Sequence, residues 1–488
     1  MNFATLLRQH AANRGDQVVL RTREESWTWA QLDTMADAAA TYLRASGATK
    51  VAIALPNTLE FVVALLGALR AGLIAVPVNP GFTARELRYL LSDSGADLLV
   101  GTGRVLADVG DALPAALPAV PLDLTGEPFP DQADDADDAD DADRVALLLY
   151  TSGTEGAPKG AMLTHRALLA NQEQIGRLEP PVLSADDIVL LALPLFHAYG
   201  LNSGLGAVLW HGASGVLEQE FDPVGTAGLI ALHRVTAVIG VPPMYQAWAE
   251  LPNAGELLRT VRLAVCGAAA LDPAGAARFT QRTGLTVHIG YGLTETAPVL
   301  TSTLASQSVK PGSIGRPLPG VSLKLVNAYG EVSQDQPGYA EDDPGEIVVR
   351  GENLFTGYWP DRRGGPAADG WWATGDVAYA DADGDLFIVD RIGELILVNG
   401  FNVYPAEVEQ VLASHPGVAE AAVVGVPHPA SGHAVHAYVV GTATQDELMA
   451  HCAANLARFK CPAAIDFVQE LPHSATGKVR KRLLQDES

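Results

Sequence analysis

The chain has 488 residues, 48% of them hydrophobic, which is ample for a large core and too long for one globular unit, so more than one domain is expected. Against 32 basic residues stand 57 acidic ones, a formal net charge of −25. This balance excludes the basic footprint that general binding to nucleic acid requires, and any anionic ligand must be held locally.

The first two-thirds alternates short β-branched runs with amphipathic segments, the pattern of layered α/β subdomains. Residues 51–55, 59–69 and 73–78 read as strand, helix and strand. Asn57 with Glu60 makes a capping-box start for that helix, Gly72 a stop, and Thr83 with Glu86 opens the next helix. The longest apolar stretch, 61–78, is interrupted by Gly67, Arg70 and Gly72, which suits a buried helix and strand and no membrane span. An Ala-Asp-Asp repeat then places eight aspartates over positions 131–143, a self-repelling solvated linker. Further strands are predicted at 145–150, 188–192, 237–241, 261–266 and 287–290.

From about 310 to 390 the texture changes to Gly, Pro and Asp turns between short strands, a small β-rich subdomain. After Arg391 come a strand at 395–398, a helix with Pro405 in its first turn, and strands at 421–426 and 435–440. This last part reads as a small α+β domain. The expected division is 1–392 and 393–488. Cys266, Cys452 and Cys461 have no paired or metal-ligand spacing and no targeting leader opens the sequence, so the expected compartment is the cytoplasm.

The chemistry is carried by short segments that follow strands. Thr151-Ser-Gly-Thr-Glu-Gly-Ala-Pro-Lys159-Gly160 is rich in hydroxyls and glycines and ends in one lysine, a loop able to approach a polyphosphate closely. Its spacing is not that of the common P-loop. Gly290-Tyr-Gly-Leu-Thr-Glu-Thr296 sets a hydroxyl beside a carboxylate at a strand end, where Thr294 can bond a phosphate and Glu295 can hold Mg2+. Each segment has a bland reading, as a surface loop and as a turn with a solvated Glu.

They are joined, in order, by Trp371-Trp-Ala-Thr-Gly-Asp376, Val389-Asp-Arg391 and Ser474-Ala-Thr-Gly-Lys478. Taken together these five segments resemble the adenylate-forming superfamily of acyl-CoA synthetases, luciferases and peptide-synthetase adenylation domains, and the resemblance spans nearly the whole chain. It implies a large N-terminal domain, a small mobile C-terminal domain, and a nucleotide site where they meet. It implies that Thr151, Ser152, Gly153, Thr154, Gly156 and Lys159 bind the ATP phosphates, that Gly267, Ala268 and Ala269 line the adenine slot, and that Tyr291, followed by Gly292, stacks on the base. Thr294 would touch the α-phosphate, Glu295 the Mg2+, and Asp376 the ribose hydroxyls with Arg391 beside it. Lys478 would bridge the substrate carboxylate and the α-phosphate.

Two positions depart from the family pattern: Gly393 stands where the hinge usually has Asp or Lys, and Glu155 stands where the phosphate loop usually has Thr. Leu193-Pro-Leu-Phe-His197 resembles acyl- and aryl-activating members, whose histidine lies near the substrate carboxylate. The run from Val398 to Pro405 is most similar to members acting on fatty acids, with Gly400 at the thiol tunnel and Lys460 and Arg458 as candidates for the CoA phosphates. The expected activity is an ATP-dependent acid:CoA ligase using Mg2+, with a fatty acid as substrate. The alternatives are an aryl-acid CoA ligase, an acyl-AMP ligase that loads a carrier protein or another acceptor, and a noncatalytic adenylate-binding protein.

Overall fold

The computed structural model describes residues 1–101, 103, 106, 119–121, 141–151, 158–327, 332–333, 344–391, 396–398, 401–428, 432–473 and 479–485. The chain divides into two compact units, Met1–Val321 with Arg350–Gly370, and Ser322–Val349 with Trp371–Ser488.

The first unit is built on two sheets. In one of nine strands, Val18–Arg21, Ser214–Leu217, Ile188–Leu191, Ala237–Gly240, Leu263–Cys266 and Val287–Gly292 run parallel in that spatial order. Antiparallel edges close it at Ser26–Thr28 and at Val299–Ser302 with Arg316–Pro317. In the six-stranded sheet, Ala119–Pro121, Leu98–Gly101, Lys50–Ala54, Ile74–Pro77 and Val145–Thr151 are parallel, and Lys159–Thr164 returns antiparallel to the last of them. The short Val/Ile/Leu runs of the inner strands suit burial on both faces of a parallel sheet.

Every residue of the helix Leu59–Arg70 except Glu60 is buried, and the strand Ile74–Pro77 follows it, as the apolar stretch predicts. Its partner is the helix Trp29–Ala45. A Cβ on Gly67 would come 2.6 Å from Cβ of Ala39, so glycine is what lets the two helices approach. Arg70, 2% exposed, donates to Asp33 and, at 2.8 Å, to Asp37 on that neighbouring helix. The box at Thr83 and Glu86 forms as expected. The one at Asn57 and Glu60 does not: the N-cap is Thr58, and its side chain makes no capping bond. Asn57 is buried instead. Its amide donates to the carbonyls of Leu193 at 2.7 Å and Glu218 at 3.2 Å and accepts from Leu195 N–H at 2.8 Å, which ties the loop to the other sheet. Satisfying buried backbone groups outweighs an exposed cap here.

The second unit holds a five-stranded sheet, ordered Val332–Ser333, Ser322–Val326, Gly345–Arg350, Trp372–Ala380 and Leu386–Arg391, with antiparallel pairing in its first pair and across its last three strands. Beyond it, Phe401–Val403, Ile396–Val398, Gly432–Gly441 and Val418–His428 pair in that order, with Ala464–Phe467 joined parallel to Gly432–Gly441. Pro405 opens the helix Pro405–Ala413, which packs on this last sheet through Val408 and Leu412. Among the described residues no helix is long and apolar enough to cross a membrane. Most of the aspartate repeat lies outside the described residues; Asp143, at its end, is exposed and takes both bonds of the Arg166 guanidinium at 2.7 and 2.9 Å.

Candidate active site

Four neighbouring parallel strands, Ile188–Leu191, Ala237–Gly240, Leu263–Cys266 and Val287–Gly292, deliver the segments after them to one edge of the nine-stranded sheet. In open α/β sheets ligands bind at this carboxyl edge. The segments carry His197, Gly267 to Ala269, and Tyr291 to Glu295. Gly267 is buried where a Cβ would meet the Tyr199 ring at 2.9 Å and the Gly290 carbonyl oxygen at 3.1 Å. Ala268 takes φ 66° and is exposed, so backbone as much as side chain faces the edge. Tyr291 is partly exposed, and at Gly292 a Cβ would stand 1.8 Å from the Pro298 carbonyl oxygen. Only glycine permits that turn.

The short turn Thr294–Thr296 is held by three asparagines. Asn353 donates to Thr296 O at 2.8 Å and Asn202 to Ala297 O at 2.6 Å, while Asn171 donates to Val299 O at 2.7 Å. Within it Glu295 is 6% exposed. The Tyr358 hydroxyl donates to Glu295 Oε1 at 2.6 Å, and Phe355 N–H donates to the Glu295 carbonyl at 2.8 Å. No bond to Oε2 is found among the described residues. A buried carboxylate with one oxygen fixed and the other available is a fitting donor for a hard cation such as Mg2+.

Thr151 and Lys159 lie on the other sheet, where they end and begin adjacent strands and face each other across the ladder. The base of their hairpin is braced: Tyr89 donates to Pro158 O at 3.0 Å, and Tyr150, whose ring packs on Gly160, donates to Asp93 at 2.6 Å. Burial and Asp93 push the Tyr150 phenol up. The Lys159 ammonium is exposed and stands 5.4 Å from the centre of the Tyr358 ring. Ser152, Gly153, Thr154, Glu155 and Gly156, between these two ends, lie outside the described residues.

His197 is partly buried, and burial lowers its pKa. Its Nδ1 accepts from Tyr199 N–H at 3.3 Å, and a buried π-helical segment, Tyr199–Gly206, follows it. Such segments often sit at functional sites.

In the second unit Asp376 is 3% exposed and its N–H donates to Thr374 Oγ1 at 3.1 Å. Glu346 Oε1 accepts from Gly375 N–H at 3.0 Å. Burial, with the Asp376 carboxylate nearby, raises the Glu346 pKa. Position 391 is opposite Asp376 in the ladder, and the Arg391 side chain is outside the described residues. So are Gly393, Gly400 and Lys478. Lys460, expected at the CoA phosphates, is already paired: its ammonium donates to both carboxylate oxygens of Glu407 at 2.7 Å.

Sequence reasoning missed Tyr358 and the asparagines. Tyr358 had a signal in the aromatic, glycine-bearing run Phe355-Thr-Gly-Tyr-Trp-Pro360. The asparagines had none, because each acts on a turn far away along the chain.

The AMP-binding enzyme family matches residues 7–359, and the AMP-binding enzyme C-terminal domain matches residues 407–478. A long-chain-fatty-acid–CoA ligase of Yersinia pestis is 35% identical over 530 residues, covering 98% of this chain and 93% of that protein. A feruloyl-CoA synthase of Amycolatopsis is 37% identical over 468 residues, covering 93% and 92%. The crystal structure of ATP-bound MatB from Rhodopseudomonas palustris superposes with a TM-score of 0.88 at 31% identity, covering 100% of this chain and 99% of that one. The chain belongs to the AMP-binding enzyme family, and it is an ATP-dependent acid:CoA ligase of the AMP-forming kind that its ordered motifs imply.

Proposed function

We propose that the enzyme activates a medium or long aliphatic acid as its acyl-adenylate, with Mg2+ at Glu295, and transfers the acyl group to CoA in the cytoplasm. The observation that carries the adenylation reading is the buried Glu295 carboxylate, fixed at Oε1 by Tyr358, whose ring also underlies the phosphate-loop lysine. The aliphatic substrate rests on the Yersinia relative and on the fatty-acid character of the 398–405 run. An aryl acid is the second reading, favoured by the 37% identity to the feruloyl-CoA synthase.

In the first half-reaction a carboxylate oxygen of the acid attacks the α-phosphorus, and the bond to the β-phosphate oxygen breaks to release pyrophosphate. Lys159 and the hydroxyls of Thr151, Ser152 and Thr154 hold the phosphates, and Thr294 bonds the α-phosphate. Lys478 bridges carboxylate and α-phosphate where negative charge is most crowded. When bound at Glu295, a magnesium ion neutralises phosphate charge. His197 borders the acid, Tyr291 and Gly267 to Ala269 the adenine, and Asp376 with Arg391 the ribose. In the second half-reaction the thiolate of CoA attacks the acyl carbon, AMP leaves, and Gly400 gives pantetheine room to pass. We place the boundary between the catalytic and the small C-terminal domain at 392.

A panel of aliphatic and aromatic acids, each incubated with ATP, Mg2+ and CoA and read by mass for acyl-AMP and acyl-CoA, tests this. Acyl-CoA from chains of eight carbons or more, at a higher kcat/KM than from any cinnamate or benzoate, is expected. A preference for an aromatic acid would replace the first reading with the second. Acyl-AMP without thioester would point to a carrier protein.

A further inference from the structure

Tyr358 lies on a strap, Asn353 to Trp359, outside the five motif segments of the site. Running from Asn353, this strap stitches two elements of the first unit together. Phe355 N–H donates to the Glu295 carbonyl at 2.8 Å, Thr356 N–H to Met162 O at 3.0 Å, and Trp359 N–H to Gly160 O at 2.8 Å, while Met162 N–H donates back to Gly357 O at 3.1 Å. The strap thus extends the phosphate-hairpin strand Lys159–Thr164 on one side and grips the Glu295 turn on the other. Its path is fixed by Gly357, at φ 120°, where a Cβ would stand 2.2 Å from the Arg362 carbonyl oxygen. Trp359 anchors the far end, with its indole N–H donating to Asp93 O at 2.9 Å.

We propose that Tyr358 is a positioning residue that couples the metal-binding carboxylate to the phosphate-binding lysine. This inference rests on the assignment of Glu295 to Mg2+ and Lys159 to phosphate proposed above. Two different parts of one side chain do the two tasks. The hydroxyl donates to Glu295 Oε1 at 2.6 Å, a charge-assisted bond that fixes the carboxylate rotamer and directs metal binding to Oε2. The ring face, 5.4 Å from the Lys159 ammonium, restrains a long cation that is otherwise exposed. The ring is itself held edge-on against Phe355, with centroids 5.0 Å apart. Without Tyr358 the carboxylate has more rotamers to lose when it takes the metal, and the lysine has more when it meets phosphate.

The roles separate by substitution. Tyr358→Phe removes only the hydroxyl, and Tyr358→Leu removes the ring face as well. Calorimetric titration of the full-length protein with ATP, in excess Mg2+ and in EDTA, gives the tightening due to the metal without any turnover. In Tyr358→Phe that tightening falls by about tenfold while binding in EDTA is unchanged, the size expected for losing one hydrogen bond to a charged group. In Tyr358→Leu binding in EDTA weakens as well, by about threefold. Melting temperature distinguishes these effects from loss of fold, and Glu295→Gln is the reference. If Glu295→Gln abolishes the tightening and Tyr358→Phe keeps all of it, the coupling is wrong and the assignment of Glu295 stands. If Glu295→Gln keeps the tightening, the metal assignment fails and the coupling with it.

Discussion

Because Nδ1 of His197 accepts from Tyr199 N–H, the proton of the neutral ring sits on Nε2, and burial keeps the ring neutral to lower pH than a free imidazole. A neutral N–H donor can face the substrate carboxyl without adding charge. Any inflection that His197 gives to kcat/KM for the acid should therefore fall below the ordinary imidazole value of 6.5. A titration near pH 7 that vanishes in His197→Gln would contradict this. Lys478 makes the complementary case. As the proposed bridge between the substrate carboxylate and the α-phosphate, it acts on the transition state, so Lys478→Ala should lower adenylation about 10²- to 10³-fold with the melting temperature unchanged. An undiminished rate would remove its role.

At the scale of elements, two polar contacts made by buried side chains tie the first unit together. Arg70 ties the helix Leu59–Arg70 to Trp29–Ala45 through Asp33 and Asp37. Arg70 is buried while Asp33 and Asp37 are partly exposed, so Arg70→Ala, which loses charged hydrogen bonds without stranding fully buried partners, should cost about 1.5–3 kcal/mol in a denaturant melt. Loss of less than half of that would mean that the contact adds little to the packing of the two helices. His165, at the start of the helix His165–Gly176, accepts from Phe3 N–H at 3.1 Å, tying the amino-terminal segment to the helix. Burial, with Arg144 and the terminal ammonium against it and only Asp141 in its favour, lowers its pKa to about 4. The unfolded chain binds this proton first as pH falls. The neutral-histidine contribution is thus complete above the ordinary value of 6.5, declines below it, and declines no further under about pH 4. Between those limits His165→Gln should flatten the loss of stability by about 1.4 kcal/mol per pH unit. Parallel slopes in wild type and variant would contradict the assignment.

For the whole molecule, the sequence was most legible where periodicity alone decides. The runs at 145–150, 188–192, 237–241 and 287–290 each lie in a strand to within one residue, and the first three are the apolar runs expected of strands buried on both faces. The segments after the runs 188–192, 261–266 and 287–290 carry His197, Gly267 and Glu295, so the local order of the site could be read as well. What could not be read depends on contacts between distant positions. Asn57 looked like a cap because the box pattern is local, and its bonds to Leu193 and Leu195 are not. Tyr358 reaches Glu295 across 63 positions, and nothing in its own neighbourhood names that partner. No local segment names the acid either: relatives of near-equal identity bear the names of a long-chain-fatty-acid–CoA ligase and a feruloyl-CoA synthase. Common to every catalytic reading is attack of a carboxylate on the α-phosphorus. Incubating the enzyme with a carboxyl-18O-labelled acid, ATP, Mg2+ and CoA, and weighing the nucleotide product, tests that step directly. The account predicts AMP carrying one labelled oxygen, left behind when the thiolate displaces it from the acyl carbon. Label in inorganic phosphate, with ADP as the nucleotide, would contradict it.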